Sequence, residues 1–138
     1  MKRASVFIDT SALLALINSD DALHADAVRV RDSLDAADTS LVSSEWVLAE
    51  LLNHTAARGR KRAGIRAVQA MLASARTVVE PATTEAWNEA FALYRLRTDK
   101  DWSLVDCASI LICERRGIRR VFTHDRHFAQ AGLEVLLR

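Results

Sequence analysis

Asp9, Asp106 and Asp125 stand where a carboxylate is out of keeping with its neighbours. Asp9 directly follows residues 4–8, a β-branched and aromatic run that reads as a strand, and Thr10 and Ser11 after it suit the start of a helix. Asp125 follows the strand-like residues 120–123 with only His124 between. Asp106 is the sole charge from Leu104 to Cys113, in a stretch whose helical faces are otherwise apolar. Each has a plainer reading: a turn or helix-cap residue for Asp9 and Asp125, and a capping box with Ser103 for Asp106. A further acid is supplied by the segment 44–58, where Glu50 lies beside Val47 and Leu51 and Glu45 lies toward the opposite edge. Spacing alone does not choose between these two, and a rim glutamate with a solvated head is the ordinary reading of either.

Carboxylates gathered at one place repel one another and raise each other's pKa unless a cation neutralises them. An oxygen-only ligand set favours hard cations, Mg2+ or Mn2+, over zinc. Such an ion activates water and stabilises a leaving oxygen in phosphodiester cleavage, so the chemistry needs no nucleophilic side chain.

The elements that must position these acids can be read in order. The spacing of Leu23, Ala27, Val30 and Leu34 predicts a helix over 24–37, followed by a strand at 41–43. Two helices are expected over 44–58 and 62–75, divided at Gly59, then a strand at 77–79 ended by Pro81. A helix over 84–97 carries Trp87, Phe91 and Tyr94 on one face, which are expected in the core. Residues 103–116 should form a buried helix stopped by Gly117. Strands at 120–123 and 134–137 complete the chain, around a 124–132 loop with room for a short helix. Alternating strands and helices imply an α/β fold with a parallel sheet covered on both faces. Asp9 and Asp125 would then emerge at its carboxyl edge, where such sheets bind ligands.

Half of the 138 residues are apolar, enough for one domain spanning 1–138 with its own core. The net charge of +1 gives no general attraction to nucleic acid or membrane. Cys107 and Cys113, six apart on one helix, are too far apart to bridge, which fits a reducing cytoplasm. No apolar run has the length of a membrane span and the first residues lack a secretory pattern, so a cytoplasmic protein is expected. His124 and His127 lack partners at zinc spacing and read as surface-loop residues. The arginines at 58, 60, 62, 115, 116, 119, 120 and 126, with Lys61, could grip phosphates, but such runs are more often solvated faces.

The motifs FIDTSALLAL at 7–16, SSEWVLAEL at 43–51, DWSLVDCASILICERRGI at 101–118 and VFTHDRHFAQAG at 121–132 together resemble the PIN-domain family, especially its VapC-type toxins. The resemblance implies an α/β/α sandwich with a central parallel sheet and a metal-dependent endoribonuclease. It also implies that Asp9, Glu50, Asp106 and Asp125 hold Mg2+ or Mn2+, which selects Glu50 over Glu45. Ser11, Ser103 and Thr123 match small polar positions that would hydrogen-bond around the site, and Asp101 is a further acid nearby. RNA as substrate, a cognate antitoxin and a homodimer are implied in the same way. Two alternatives stand beside this reading. A phosphatase of the haloacid dehalogenase type wants a second Asp two residues after the first, where Ser11 stands. A non-catalytic RNA- or partner-binding module would keep the fold and use the acids only as caps.

Overall fold

The structure, a computed structural model, describes residues 3–138. Strand β1 (Ser5–Ile8) passes to helix α1 (Thr10–Ile17), then to α2 (His24–Ala36) and β2 (Ser40–Ser44). Helices α3 (Glu45–Ala57) and α4 (Lys61–Ala73) lead to β3 (Thr77–Glu80). Helices α5 (Thr84–Leu96) and α6 (Leu104–Arg116) return to β4 (Arg120–Phe122), and α7 (His127–Gln130) precedes β5 (Glu134–Val135). The expected elements form within a few residues of their predicted ends. Strand β5 is shorter than expected, although the Leu136 and Leu137 N–H groups still donate to the carbonyls of Val121 and Thr123.

All pairings are parallel and the strand order is β3-β2-β1-β4-β5. The chain therefore steps outward twice from β1, then returns to β1's other side. Right-handed crossovers put the helices of the first leg on one face and those of the return on the other. The packing agrees: α1 meets α2, α3 and α4, whereas α5 meets α6 and α6 meets α7. This is a three-layer α/β/α sandwich whose direction of winding reverses between β1 and β4. At such a reversal the crossovers diverge and leave a crevice at the carboxyl ends of the two strands.

Strand β1 is central and apolar, with Val6, Phe7 and Ile8 fully buried, and Val42, Val121 and Phe122 beside it. Helix α6 is buried through Cys107, Ala108, Ser109, Ile110, Ile112 and Cys113, and both cysteines are free thiols. It ends at Gly117, whose φ of 66° is the left-handed turn that glycine takes without strain. Three residues later β4 begins at the amino edge, so the first turn of α6 lies at the carboxyl edge with the ends of β1 and β4.

One expectation is overturned. Trp87, Phe91 and Tyr94 are 46%, 44% and 47% exposed rather than core. The neighbouring stripe of α5 takes the contact instead, with Ala90 fully buried and Leu93 packed on the core, because a small residue lets α6 approach closely. The displaced aromatics stack sideways, Trp87 against Trp46 and Phe91 against Trp87.

Candidate active site

Register fixes the first part of the site. Ile8 pairs with Phe122, and the Asp9 N–H donates to the Phe122 carbonyl at 3.1 Å, so Asp9 and Thr123 are the next rung beyond the ladder. The Thr123 hydroxyl donates to Asp9 Oδ2 at 2.9 Å. Asp9 occupies the N-cap position of α1, but its side chain makes no capping bond. It is 5% exposed, and burial pushes its carboxyl from 3.8 to about 7. The Thr10 backbone N–H and the Thr123 hydroxyl pull against that shift, while the charges of Glu50 and Asp106 add to it.

Asp106 sits in the first turn of α6 and completes a capping box: Ser103 N–H donates to its Oδ2 and its own N–H donates to Ser103 Oγ, both at 3.0 Å. The plain reading is correct, yet the same Oδ2 lies 2.8 Å from His127 Nδ1, at the start of the neighbouring α7. Asp125 is also a turn residue, since its Oδ1 accepts the His127 N–H at 2.9 Å. Its backbone N–H donates to Thr123 Oγ1 at 3.0 Å, and Oδ1 is 3.2 Å from His127 Nδ1. Asp106, Asp125 and His127 each offer an atom within 4.8 Å of the other two. The caps and turns thus hold their acids in place beside the His127 ring.

Glu50 lies on the exposed side of α3, and its Oε1 accepts the Thr10 hydroxyl at 2.6 Å. Thr10 adjoins Asp9, so this bond ties α3 to the end of β1. Glu45 is used elsewhere: its Oε1 accepts the Ala82 N–H at 2.7 Å, on the segment after β3. That difference separates two glutamates that spacing could not.

The three small polar residues lie around this cluster. Thr123 Oγ1 gives its hydrogen to Asp9, so Ser11 Oγ, 2.9 Å away, donates to it and in turn accepts the His124 N–H. Ser103 orients Asp106. Two residues were missed. Thr10 was read only as the start of a helix after Asp9, and His127 only as a surface-loop residue; the signal that could have found His127 is its place two beyond Asp125, the spacing of a turn whose acid binds its own backbone. His127 is therefore not simply a surface-loop residue. Burial lowers the pKa of its ring, but the Asp106 hydrogen bond and the charges of Asp125, Asp106 and Asp101 outweigh that and raise it. Asp101 itself is exposed.

None of the ion pairs among the described residues joins a Lys or Arg to Asp9, Glu50, Asp106 or Asp125. Several of the basic residues are occupied elsewhere, Arg60 on the Ile17 carbonyl and Arg115 and Arg116 on Glu80. An open cavity of about 450 Å³ adjoins the start of α6, lined by Tyr94, Arg97, Lys100, Asp101, Trp102 and Ser103 among others. The Arg97 guanidinium lies 4.9 Å over the Trp102 ring there.

Known proteins share this fold. The chain is 28% identical over 127 residues to the 23S rRNA-specific endonuclease VapC20 of Mycobacterium tuberculosis, covering 92% of this chain and 94% of that protein. It is 29% identical over 125 residues to the ribonuclease VapC26 of the same organism, covering 90% of each. The crystal structure of M. tuberculosis VapC20, a toxin that cleaves the sarcin–ricin loop, superposes with a TM-score of 0.81 over 93% of this chain and 95% of that one. VapBC2 of Rickettsia felis, bound to a promoter DNA fragment, shares the fold with a TM-score of 0.69 at 14% identity, over 95% and 96% of the two chains. With the PIN domain model matching residues 6–133, over a reversed parallel sheet with acids at its crevice, this chain belongs to the PIN-domain family.

Proposed function

We propose that the chain is a metal-dependent endoribonuclease, the toxin of a toxin–antitoxin pair, in which Asp9, Glu50, Asp106 and Asp125 hold Mg2+ or Mn2+. It is a nuclease of the VapC type, in keeping with its relatives VapC20 and VapC26. One observation carries the metal reading: Asp106 and Asp125 lie together with His127, the charges of Glu50 and Asp106 act on the buried Asp9, and among the described residues no Lys or Arg pairs with any of the four acids. The donor set fits a hard cation, because carboxylate oxygens predominate and the buried Asp9 needs a positive neighbour to stay ionised near neutrality. When bound, such an ion supplies charge neutralisation and activates water for attack on a phosphodiester.

The chain's own residues do the positioning. Thr123 and Ser11 fix Asp9, Ser103 fixes Asp106, and Thr10 fixes Glu50. The cavity beside the cluster offers the Tyr94 ring and the Lys100 ammonium to the RNA strand, while Arg97 is paired with Asp99. The purified chain should cleave RNA with Mg2+ or Mn2+ and stop when EDTA is added. The sarcin–ricin loop cleaved by VapC20 is the first substrate to offer. Cleavage undiminished by the chelator would reject the metal reading.

The partners follow from the same reading. A cognate antitoxin should copurify when the adjacent gene is coexpressed, and both should act in the cytoplasm. The exposed Trp87, Phe91 and Tyr94 favour a homodimer, since an apolar face of this kind is costly in water. Sedimentation should give a dimer for the wild type and a monomer for Trp87→Glu.

A further inference from the structure

We infer that His127 is a nitrogen ligand of the metal site, making it a mixed oxygen–nitrogen site with a preference for Mn2+ over Mg2+. The inference rests on the metal reading above and adds a residue to it. His127 Nδ1 is 2.8 Å from Asp106 Oδ2 and 3.2 Å from Asp125 Oδ1. Asp106, Asp125 and His127 each offer an atom within 4.8 Å of the other two, close enough for one ion to be shared among them.

Placement supports the assignment as well as distance. The His127 backbone N–H is anchored on Asp125 Oδ1, so the residue is fixed to one of the carboxylates whose charge it shares. Its ring then reaches from the start of α7 to the first turn of α6, the helix that packs against α7. A ring that served only to cap α7 would have no reason to reach Asp106. His124, three residues earlier, contributes its backbone N–H to Ser11 and has an exposed side chain. As a ligand, the His127 ring would be neutral, with the Nδ1 lone pair turned to the ion and its hydrogen on Nε2. Imidazole is a softer donor than carboxylate, and the hard Mg2+ gains less from it than Mn2+ does.

The test uses the full chain with Mn2+ alone as the probe. Pulsed EPR should show nitrogen modulation from one bound imidazole, and [15N]histidine labelling of the wild type should change its frequency, which requires no variant to fold. His127→Ala should lose the modulation, while His54→Ala and His124→Ala should keep it. By calorimetry, His127→Ala should weaken Mn2+ binding about tenfold and Mg2+ binding less than about threefold. Mn2+ bound without nitrogen modulation, or both affinities falling by one factor as they would if the ring only oriented Asp106, would overturn the inference and leave the carboxylate site standing. No Mn2+ binding at all would overturn both.

Discussion

Two groups of carboxylates in this molecule are built on opposite terms. Glu80, at the end of β3, meets Arg116 at 3.1 Å and Arg115 at 3.6 Å, and Arg115 also reaches Glu89 at 3.3 Å. Every negative charge there has a positive one supplied by the chain. Asp9, Glu50, Asp106 and Asp125 lie at the carboxyl edge of the same sheet with hydroxyls, backbone N–H groups and one imidazole, but with no Lys or Arg partner among the described residues. The first group is an exposed structural network of small net value. The second contains a buried carboxyl, Asp9, raised by desolvation, and on the proposed reading a bound cation supplies the positive charge it lacks.

The largest effect expected from this contrast is on catalysis. Asp106→Asn keeps an oxygen for the Ser103 N–H and so keeps the capping box, but removes a charge from the metal set. RNA cleavage should fall at least about 1,000-fold, equivalent to about 4 kcal/mol of barrier, with an unchanged circular dichroism spectrum. Cleavage at the wild-type rate would refute the assignment of Asp106.

Asp9 gives the next effect, and its sign is opposite for stability. Its carboxyl titrates near 7 in the metal-free folded chain, against 3.8 as its ordinary value. Below the lower value both states are protonated and the group is neutral to stability. Between the two values the unfolded chain is ionised and the folded one is not, so stability falls as pH rises, by up to about 4 kcal/mol once both are ionised. Asp9→Asn still accepts the Thr123 hydroxyl and escapes this loss. In EDTA the variant should therefore be more stable than wild type at pH 8 and close to it at pH 4, by urea denaturation, while being inactive. Equal stability at both pH values would show that the carboxyl is not strained by burial.

Much of this site was legible because local signals carried it. The strand ends before Asp9 and Asp125 fixed their edge of the sheet, and an isolated charge in an apolar helix marked Asp106. Glu50 was legible only by family likeness, because its distinction from Glu45 lies in Thr10 and Ala82, residues far away in sequence. His127 was illegible for a similar reason: its turn is local, but its bond to Asp106 spans 21 residues. The aromatic face of α5 was misread because a period identifies a helical stripe without saying which of two adjacent stripes meets the sheet. Ala90 decided that, through the close approach a small side chain permits.

Smaller effects are expected outside the acid cluster. Lys100→Glu, in the cavity beside α6, should weaken RNA binding several-fold, roughly 1 kcal/mol, and flatten its salt dependence without changing the melting temperature. A fluorescence anisotropy titration of an Asp106→Asn background at two salt concentrations measures this, and identical salt slopes would place the RNA elsewhere.

Glu80→Gln should do least of all, and that is its use. It removes a charge facing Arg115 and Arg116, which are themselves well exposed and can turn to water. The expected loss of stability is under about 1 kcal/mol and cleavage should stay within about twofold of wild type. High salt should erase even the difference in stability, because screening acts on exposed pairs first. A larger loss of activity would mean that the two clusters are coupled through α6, whose first turn holds Asp106 and whose last turn holds both arginines. A small loss leaves the rigid, apolar middle of that helix as the insulator between a charge network the chain completes by itself and one that it leaves open.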